Sequence, residues 1–222
     1  MARVDFDPEQ LDSLAFYRLL NSVVIPRPIA WVSSRSAEGV DNLAPHSFFT
    51  VACTDPPIVQ FTSVGRKDSL RNVEATREFV VNFTPEPLFE AVNATSVNAP
   101  PDVSEFDHAG IAREPSLRVA PPRVAASPVA IECVLHDTLS FGDSTVVFGR
   151  VVHVAIAEQA MRDGRPRAEL LRPLARLGGR QWSTLGELLE IDRPQWRHRP
   201  EAGRSRRPEG ESRFLDEREA TA

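Results

Sequence analysis

The sequence predicts a mainly β protein with short helices, folded as an antiparallel barrel. Six runs rich in β-branched and aromatic residues are separated by Pro, Gly and Asp, which favours strands joined by turns. The helical patterns between these runs are few and short, whereas parallel strands need a long crossover connection that is usually helical. The two longest runs are joined by "GDST", residues 142–145, which is typical of a hairpin turn.

The first predicted element is a short helix near the start of the chain. Asp7 is its candidate N-cap, Pro8 stands at the first helical position, and Gln10 follows three residues after the cap. Apolar residues then recur at helical spacing, at Leu11, Leu14, Ala15, Tyr17 and Leu20. The six predicted strands follow at 29–34, 47–53, 57–63, 78–83, 129–142 and 145–158.

Three connections between the strands are predicted to be helical. Residues 67–78, "KDSLRNVEATRE", form a helix of one to two turns with Asp68 as N-cap, and residues 87–97 form another. Residues 100–110, "PPDVSEFDHAG", form a polar and partly helical excursion. Because these segments are short, they are insertions in a β fold.

One domain and one tail are predicted. Residues 1–196 carry the apolar patterns of a single folded domain. Residues 197–222 are almost entirely charged residues, Pro, Gly and Ser, so we expect a disordered C-terminal tail. A solvated tail is the default interpretation, and a docking segment is the alternative.

Composition narrows the class of function. The formal net charge of −5 argues against a nucleic-acid partner, which would favour a basic surface. Cys53 and Cys133 lie far apart in β-like runs, which favours free thiols in a reducing compartment. The first residues lack the basic and apolar regions of a signal peptide, and no apolar run reaches the roughly 20 residues of a membrane span. We therefore expect a soluble cytoplasmic protein.

Common catalytic and nucleotide-binding motifs are absent from the sequence. It has no GxGxxG, no GxxxxGK[ST] and no GxSxG, and its histidines and cysteines lack the spacing of a metal site. If the protein is an enzyme, we expect a bound cofactor to supply the chemistry, and we assign no catalytic acid or base.

Three polar segments at strand ends are candidate binding loops. "IPRP" holds Arg27 between two prolines, and "NLAPHS" offers the amide of Asn42 and the hydroxyl of Ser47. "TSVGRKDS" contains Lys67, the only lysine of the chain, at a predicted helix start, which suits a phosphate group. Two alternatives stay open: Lys67 is a solvated surface lysine, and "NLAPHS" is a turn that closes a hairpin.

Taken together, these segments resemble the flavin reductase-like, FMN-binding split-barrel family, which includes flavoredoxins and the reductase partners of two-component monooxygenases. The resemblance rests on "VIPRPIAWVSS", "GVDNLAPHSFF", "DPPIVQFTS", "RKDSLRN", "EFVVN", "PPRV", "SPVAIEC" and "LRPLARLGG", in that order, over roughly residues 10–195. It implies an antiparallel Greek-key split β-barrel that forms a homodimer, with FMN bound near the dimer interface.

The resemblance also implies which residues bind FMN. The loop from Asn42 to Ser47 contacts the ring, Lys67 lies by the phosphate, and Arg176 is a second cation. An FMN phosphate in a protein of net negative charge needs a local cationic cluster, for which Arg27, Lys67 and Arg176 are the candidates. Trp182 stands where the family often has a tyrosine, and Trp31 serves either as a flavin contact or as barrel core. The complete predicted set is Arg27, Trp31, Ser33, Asn42, Leu43, Ala44, Pro45, His46, Ser47, Thr62, Ser63, Lys67, Asp68, Ser69, Arg176 and Trp182.

With FMN bound, the expected activity is an NAD(P)H-dependent flavin reductase that supplies reduced flavin to a monooxygenase or another acceptor. Two alternatives remain. One is a flavoredoxin-like electron carrier with little NAD(P)H activity, and the other is a non-enzymatic interaction module. The sequence leaves open the choice between NADH and NADPH, and whether FMN is a fixed group or a diffusing substrate.

Overall fold

Strands form at all six predicted runs, and further strands, most of them two residues long, form where none was predicted. The computed structural model describes residues 1–196, and the predicted tail, 197–222, lies outside the described residues. The strands are β1 (Arg27–Pro28), β2 (Ala30–Arg35), β3 (Asp41–His46), β4 (Phe49–Cys53), β5 (Ile58–Val64), β6 (Glu78–Asn82), β7 (Arg113–Glu114), β8 (Arg123–Val124), β9 (Val129–Phe141), β10 (Ser144–Ile156), β11 (Met161–Arg162), β12 (Arg165–Pro166), β13 (Ala175–Arg176) and β14 (Trp182–Ser183). The division at residue 196 stays a prediction.

The main sheet has seven antiparallel strands in the order β3-β2-β6-β9-β10-β5-β4. Its two edge strands, β3 and β4, are separated in the chain by only Ser47 and Phe48. A flat sheet of seven strands would hold its edges roughly 29 Å apart, far beyond the reach of two residues. The sheet therefore curls into a barrel whose edges meet at Ser47 and Phe48. The Thr62 amide, which donates to the Phe48 carbonyl oxygen at 2.9 Å, continues the pairing of β5 with β4 up to this junction. We call this junction the seam.

The longest hairpin confirms the predicted turn at "GDST". β9 and β10 pair from Ser144 opposite Phe141 along their length. Gly142 adopts a φ of +55°, which a two-residue hairpin turn requires and which glycine adopts without steric cost.

The helices are α1 (Ser13–Val23), α2 (Asp68–Thr76), α3 (Phe89–Ala94), α4 (Glu105–His108) and α5 (Ala168–Leu171), with 3₁₀ turns at Glu86–Leu88 and Glu158–Ala160. The predicted Asp7 cap is wrong, because α1 is capped by Asp12, whose carboxylate accepts from the Ala15 amide at 2.9 Å. Asp7 forms a local turn with the Glu9 amide instead. The predicted Asp68 cap of α2 is also wrong, because Lys67 occupies the N-cap position and Asp68 is the first helical residue. Along residues 1–196, no helix has the length and apolar character that crossing a membrane requires.

The main core fills the barrel and anchors α2 against it. Phe61 and Phe79 pack edge to face there, with ring centroids 5.4 Å apart. Leu70 and Val73 of α2 are three residues apart, so they lie on one helix face and join the same cluster. This packing fixes the N-terminus of α2 close to the seam.

An ion pair attaches the excursion between β7 and β8 to the outside of the sheet. Glu132 of β9 is fully buried, and its carboxylate accepts from the Leu117 amide at 3.0 Å and the Arg118 amide at 2.6 Å. The guanidinium of Arg123, itself 6% exposed, donates to the same carboxylate through Nε at 2.8 Å and through Nη2. Burial alone would raise the pKa of Glu132, but these hydrogen bonds and the Arg123 charge hold it below its ordinary value.

Candidate functional site

A pocket of about 430 Å³ opens at the seam of the barrel. Its wall brings together many of the predicted site residues, namely Asn42, Ala44, Pro45, His46, Ser47, Thr62, Lys67, Asp68 and Ser69. The remainder of the wall is Tyr17, Phe48, Val64, Arg66, Arg71, residues 95–99 and Glu105. The volume falls within the roughly 300–1,000 Å³ of typical small-molecule and cofactor sites.

Three cationic side chains line one end of this pocket, and they differ in their partners. Arg66 forms an ion pair with Glu74 at 2.7 Å, and Arg71 forms one with Asp68. Within residues 1–196, the Lys67 ammonium has no carboxylate within ion-pair distance. Lys67 therefore keeps its charge available to a ligand.

The start of α2 adds backbone donors beside Lys67. Gly65, at φ +77°, turns the chain out of β5, and the helix begins two residues after Arg66. Lys67 makes no side-chain hydrogen bond to the first turn, so the amides there lack a cap. Free amides at the positive end of a helix, next to an unpaired ammonium, favour a phosphate or another anion.

A buried polar network fixes the β3 side of the pocket. Glu105 of α4 is 3% exposed, and its carboxylate accepts from Asn42 Nδ2 at 2.8 Å and from the Leu43 amide at 3.0 Å. Asn42 Oδ1 accepts from the Ser69 hydroxyl at 3.0 Å. Burial raises the pKa of Glu105, opposed by the hydrogen bonds it accepts. The Asn42 amide, which the sequence offered to a ligand, thus joins β3 to α4 and α2.

His46 is a neutral member of the wall. Burial lowers its pKa to about 4, against a hydrogen bond with the Thr62 backbone, and the nearby Lys67 charge lowers it further. Its Nε2 lies 3.2 Å from the Ser69 hydroxyl, and its ring packs 4.7 Å from that of Phe61. His46 therefore adds no positive charge at pH 7.

A second pocket of about 200 Å³ adjoins the first, sharing Pro45, Ser47 and Ser96 with it. Arg176 and Trp182 line this second pocket, while Lys67 lines the first. The three cations predicted to surround one phosphate, Arg27, Lys67 and Arg176, are therefore not gathered around a single pocket. We call the two cavities the seam pocket and the arginine pocket.

Five predicted site residues lie in neither wall. Arg27 is 7% exposed, and its guanidinium donates to the carbonyl oxygens of Asn21, Val24 and Leu177 at 2.6–2.9 Å. It therefore connects α1, β1 and the segment after β13. Arg27 Nε also lies 3.5 Å from the Ser47 hydroxyl, at the border of both pockets.

The other four, Trp31, Ser33, Leu43 and Ser63, are completely buried. The indole Nε1 of Trp31 donates to the Thr95 hydroxyl at 2.8 Å, and Trp31 belongs to a buried cluster, so the structure supports its role in the core. The Ser33 hydroxyl donates to the Pro122 carbonyl oxygen, and the Ser63 hydroxyl donates to that of Gly65 at 2.8 Å. Successive residues of a strand point to opposite faces, which places Ser63 in the interior next to Thr62 of the pocket wall.

Sequence reasoning missed Glu105, Tyr17 and the segment 95–99. Glu105 bonds to residues more than 60 positions earlier in the chain, and a short polar helix gives no local sign of such a contact. Arg66 and Arg71 lie close to the predicted "KDS" segment in the sequence, so their positive charge could have identified them as further residues of the pocket wall.

The family model described as "Flavin reductase like domain" matches residues 22–174, more than half of the chain. The chain belongs to the flavin reductase-like domain family. The predicted family and its antiparallel split-barrel fold are thereby confirmed.

Several relatives of this flavin reductase-like protein cover most of its length. It is similar to the crystal structure of nitrilotriacetate monooxygenase component B from Bacillus cereus, with 34% identity, a TM-score of 0.83, and coverage of 86% of this chain and 100% of that one. It is also similar to 2-nitrobenzoate 2-nitroreductase from Pseudomonas fluorescens, with 30% identity, a TM-score of 0.82, and coverage of 90% and 100%. An uncharacterized protein of Halalkalibacterium halodurans is 38% identical over 200 residues, which are 85% of this chain and 95% of that protein.

Proposed function

We propose that this flavin reductase-like protein binds FMN in the seam pocket and acts as an NAD(P)H-dependent flavin reductase. The observation that carries the proposal is the unpaired Lys67 ammonium beside the uncapped start of α2, in a pocket of cofactor size. A phosphate bound there would be held by one full charge and by backbone amides.

The remaining wall residues position the ring system. The Asn42–Glu105 network holds the end of β3 rigid, so that Ala44, Pro45 and Ser47 present a fixed surface. Bound FMN would supply hydride and electron transfer chemistry, which no side chain here provides. The task of the protein is therefore to orient the ring and a hydride donor at contact distance.

The proposal includes NAD(P)H as the hydride donor and a partner oxygenase or another molecule as the acceptor of electrons from reduced flavin. A relative named as a monooxygenase component supports supply of reduced flavin to a partner oxygenase. A homodimer and a cytoplasmic location stay predictions from the sequence.

Anaerobic reduction tests the activity. FMN-saturated full-length protein is mixed with NADH or NADPH, and the visible flavin absorbance is followed in time. We expect rapid bleaching with at least one donor. Bleaching only by dithionite would contradict the reductase and leave the flavoredoxin-like electron carrier.

A further inference from the structure

In the part of the chain that the structure describes, no carboxylate pairs with the positive charge of the arginine pocket. Arg176 lies in its wall, and Arg27 stands opposite Arg176 in the pairing of β1 with β13. Within residues 1–196 neither guanidinium has an acidic partner within ion-pair distance. Burial lowers the pKa of both, and the Arg176 charge lowers that of Arg27 further. No Asp or Glu occurs among the residues of this wall, so an anion is the favoured occupant.

The Arg176 guanidinium is held in place, and only part of its hydrogen-bonding capacity is taken up within the described chain. Its carbon lies 4.6 Å from the centre of the Trp182 ring, which is the distance of a cation–π contact. Along the described chain, its one hydrogen bond runs from Nη2 to the Gly179 carbonyl oxygen at 2.9 Å. A planar guanidinium with free N–H groups matches a carboxylate, which it can bind through two parallel hydrogen bonds.

The rest of the wall of the arginine pocket is mixed, with apolar Ile29 and Pro45 and polar Ser47, Asn93 and Ser96. The Trp182 ring makes an edge contact with Phe89, with centroids 5.1 Å apart. The apolar and aromatic part of this wall favours a flat ring. Ser47 adds a hydroxyl at the border with the seam pocket.

Size limits the occupant to a small molecule. A volume of about 200 Å³ is below the roughly 300–1,000 Å³ typical of drug-sized ligands, so the pocket is too small to enclose a whole dinucleotide. We propose that the arginine pocket binds a single-ring aromatic carboxylate, with Arg176 pairing the carboxylate and Trp182 and Pro45 contacting the ring. Because Pro45 and Ser47 line both pockets, such a ligand lies beside the flavin; its role as a reaction partner of the flavin rests on the proposed function, and its binding does not.

Benzoate is the probe for this site. The chain has three tryptophans, so ¹⁵N spectra of the full-length, FMN-saturated protein contain three indole N–H signals, with Trp182→Phe assigning one of them. We expect benzoate to shift the Trp182 signal in a saturable way and to leave that of buried Trp31 unchanged. Benzyl alcohol, which lacks the charge, and acetate, which lacks the ring, should bind at least tenfold more weakly.

Two arginine variants provide the decisive comparison. Arg176→Gln should weaken benzoate binding at least tenfold, which is the scale of a charge-assisted hydrogen bond. The control Arg180→Gln should change the benzoate affinity less than twofold, because Arg180 is exposed and lies outside both pocket walls. Equal benzoate affinity in wild type and Arg176→Gln would overturn the inference. Competition between FMN and benzoate would overturn it as well, because the pocket would then belong to the flavin.

The two proposals fail separately. If the protein binds FMN but its Trp182 signal does not respond to benzoate, only the proposed aromatic carboxylate site is overturned. Failure to bind FMN would overturn the proposed function, and benzoate titration of the flavin-free protein would then still decide the arginine pocket.

Discussion

Arg123→Met is expected to lower the free energy of unfolding by about 3–5 kcal/mol, the usual cost of removing one member of a buried ion pair. The reason is the fully buried Glu132 carboxylate, which would keep only the amides of Leu117 and Arg118 as donors. Urea unfolding at pH 7 measures the change. The matched control is Arg118→Met, since the Arg118 side chain is exposed and its amide remains; we expect a change within about 0.5 kcal/mol.

Two further measurements identify the cause. The double variant Arg123→Met with Glu132→Met should recover stability relative to Arg123→Met, because no unpaired charge is left buried.

The pKa of Glu132 is lowered in the folded state, so its stabilisation is present above the ordinary glutamate value of about 4.5 and is lost as pH falls through the folded pKa. The difference between wild type and Arg123→Met should therefore shrink in acid. A difference independent of pH from 7 to 3 would contradict the role of this ion pair.

Lys67→Gln is expected to weaken FMN binding at least tenfold. A charge-assisted hydrogen bond contributes about 1.5–3 kcal/mol, and the other cations of the seam pocket, Arg66 and Arg71, are already paired with Glu74 and Asp68. Titration of flavin fluorescence gives the dissociation constant. The affinity for riboflavin, which lacks the phosphate, should change little in the same variant.

Arg118→Gln serves as the charge control for this experiment, because it removes one exposed positive charge away from both pockets. Loss of the Lys67 charge should also raise the pKa of His46, which that charge lowers. Equal loss of FMN and riboflavin affinity in Lys67→Gln would mean that Lys67 supports the fold or the ring rather than the phosphate.

Local patterns in the sequence predicted six of the strands and the position of Lys67 at the start of a helix. Runs rich in β-branched and aromatic residues predicted β9 and β10, the turn residues of "GDST" predicted their hairpin, and the single lysine marks the start of α2. Each of these signals depends on neighbours within a few residues, so it can be read without the fold.

Signals that depend on distant contacts were not readable. Asn42 looked available to a ligand because its partner Glu105 comes 63 residues later. Arg27 looked like a phosphate ligand because its carbonyl partners, including Leu177 at a separation of 150 residues, are brought together only by folding. "NLAPHS" was interpreted as a polar loop at a strand end, yet residues 41–46 form the edge strand β3. Proline is tolerated there because an edge strand has one side without a partner strand.

The visible spectrum of the full-length protein, saturated with FMN and then desalted, tests the central claim that the seam pocket binds this cofactor. The account predicts retained flavin absorbance in wild type and a clear loss in Lys67→Gln, whose phosphate contact is removed. Absence of flavin after desalting, together with no quenching of FMN fluorescence on titration, would contradict it.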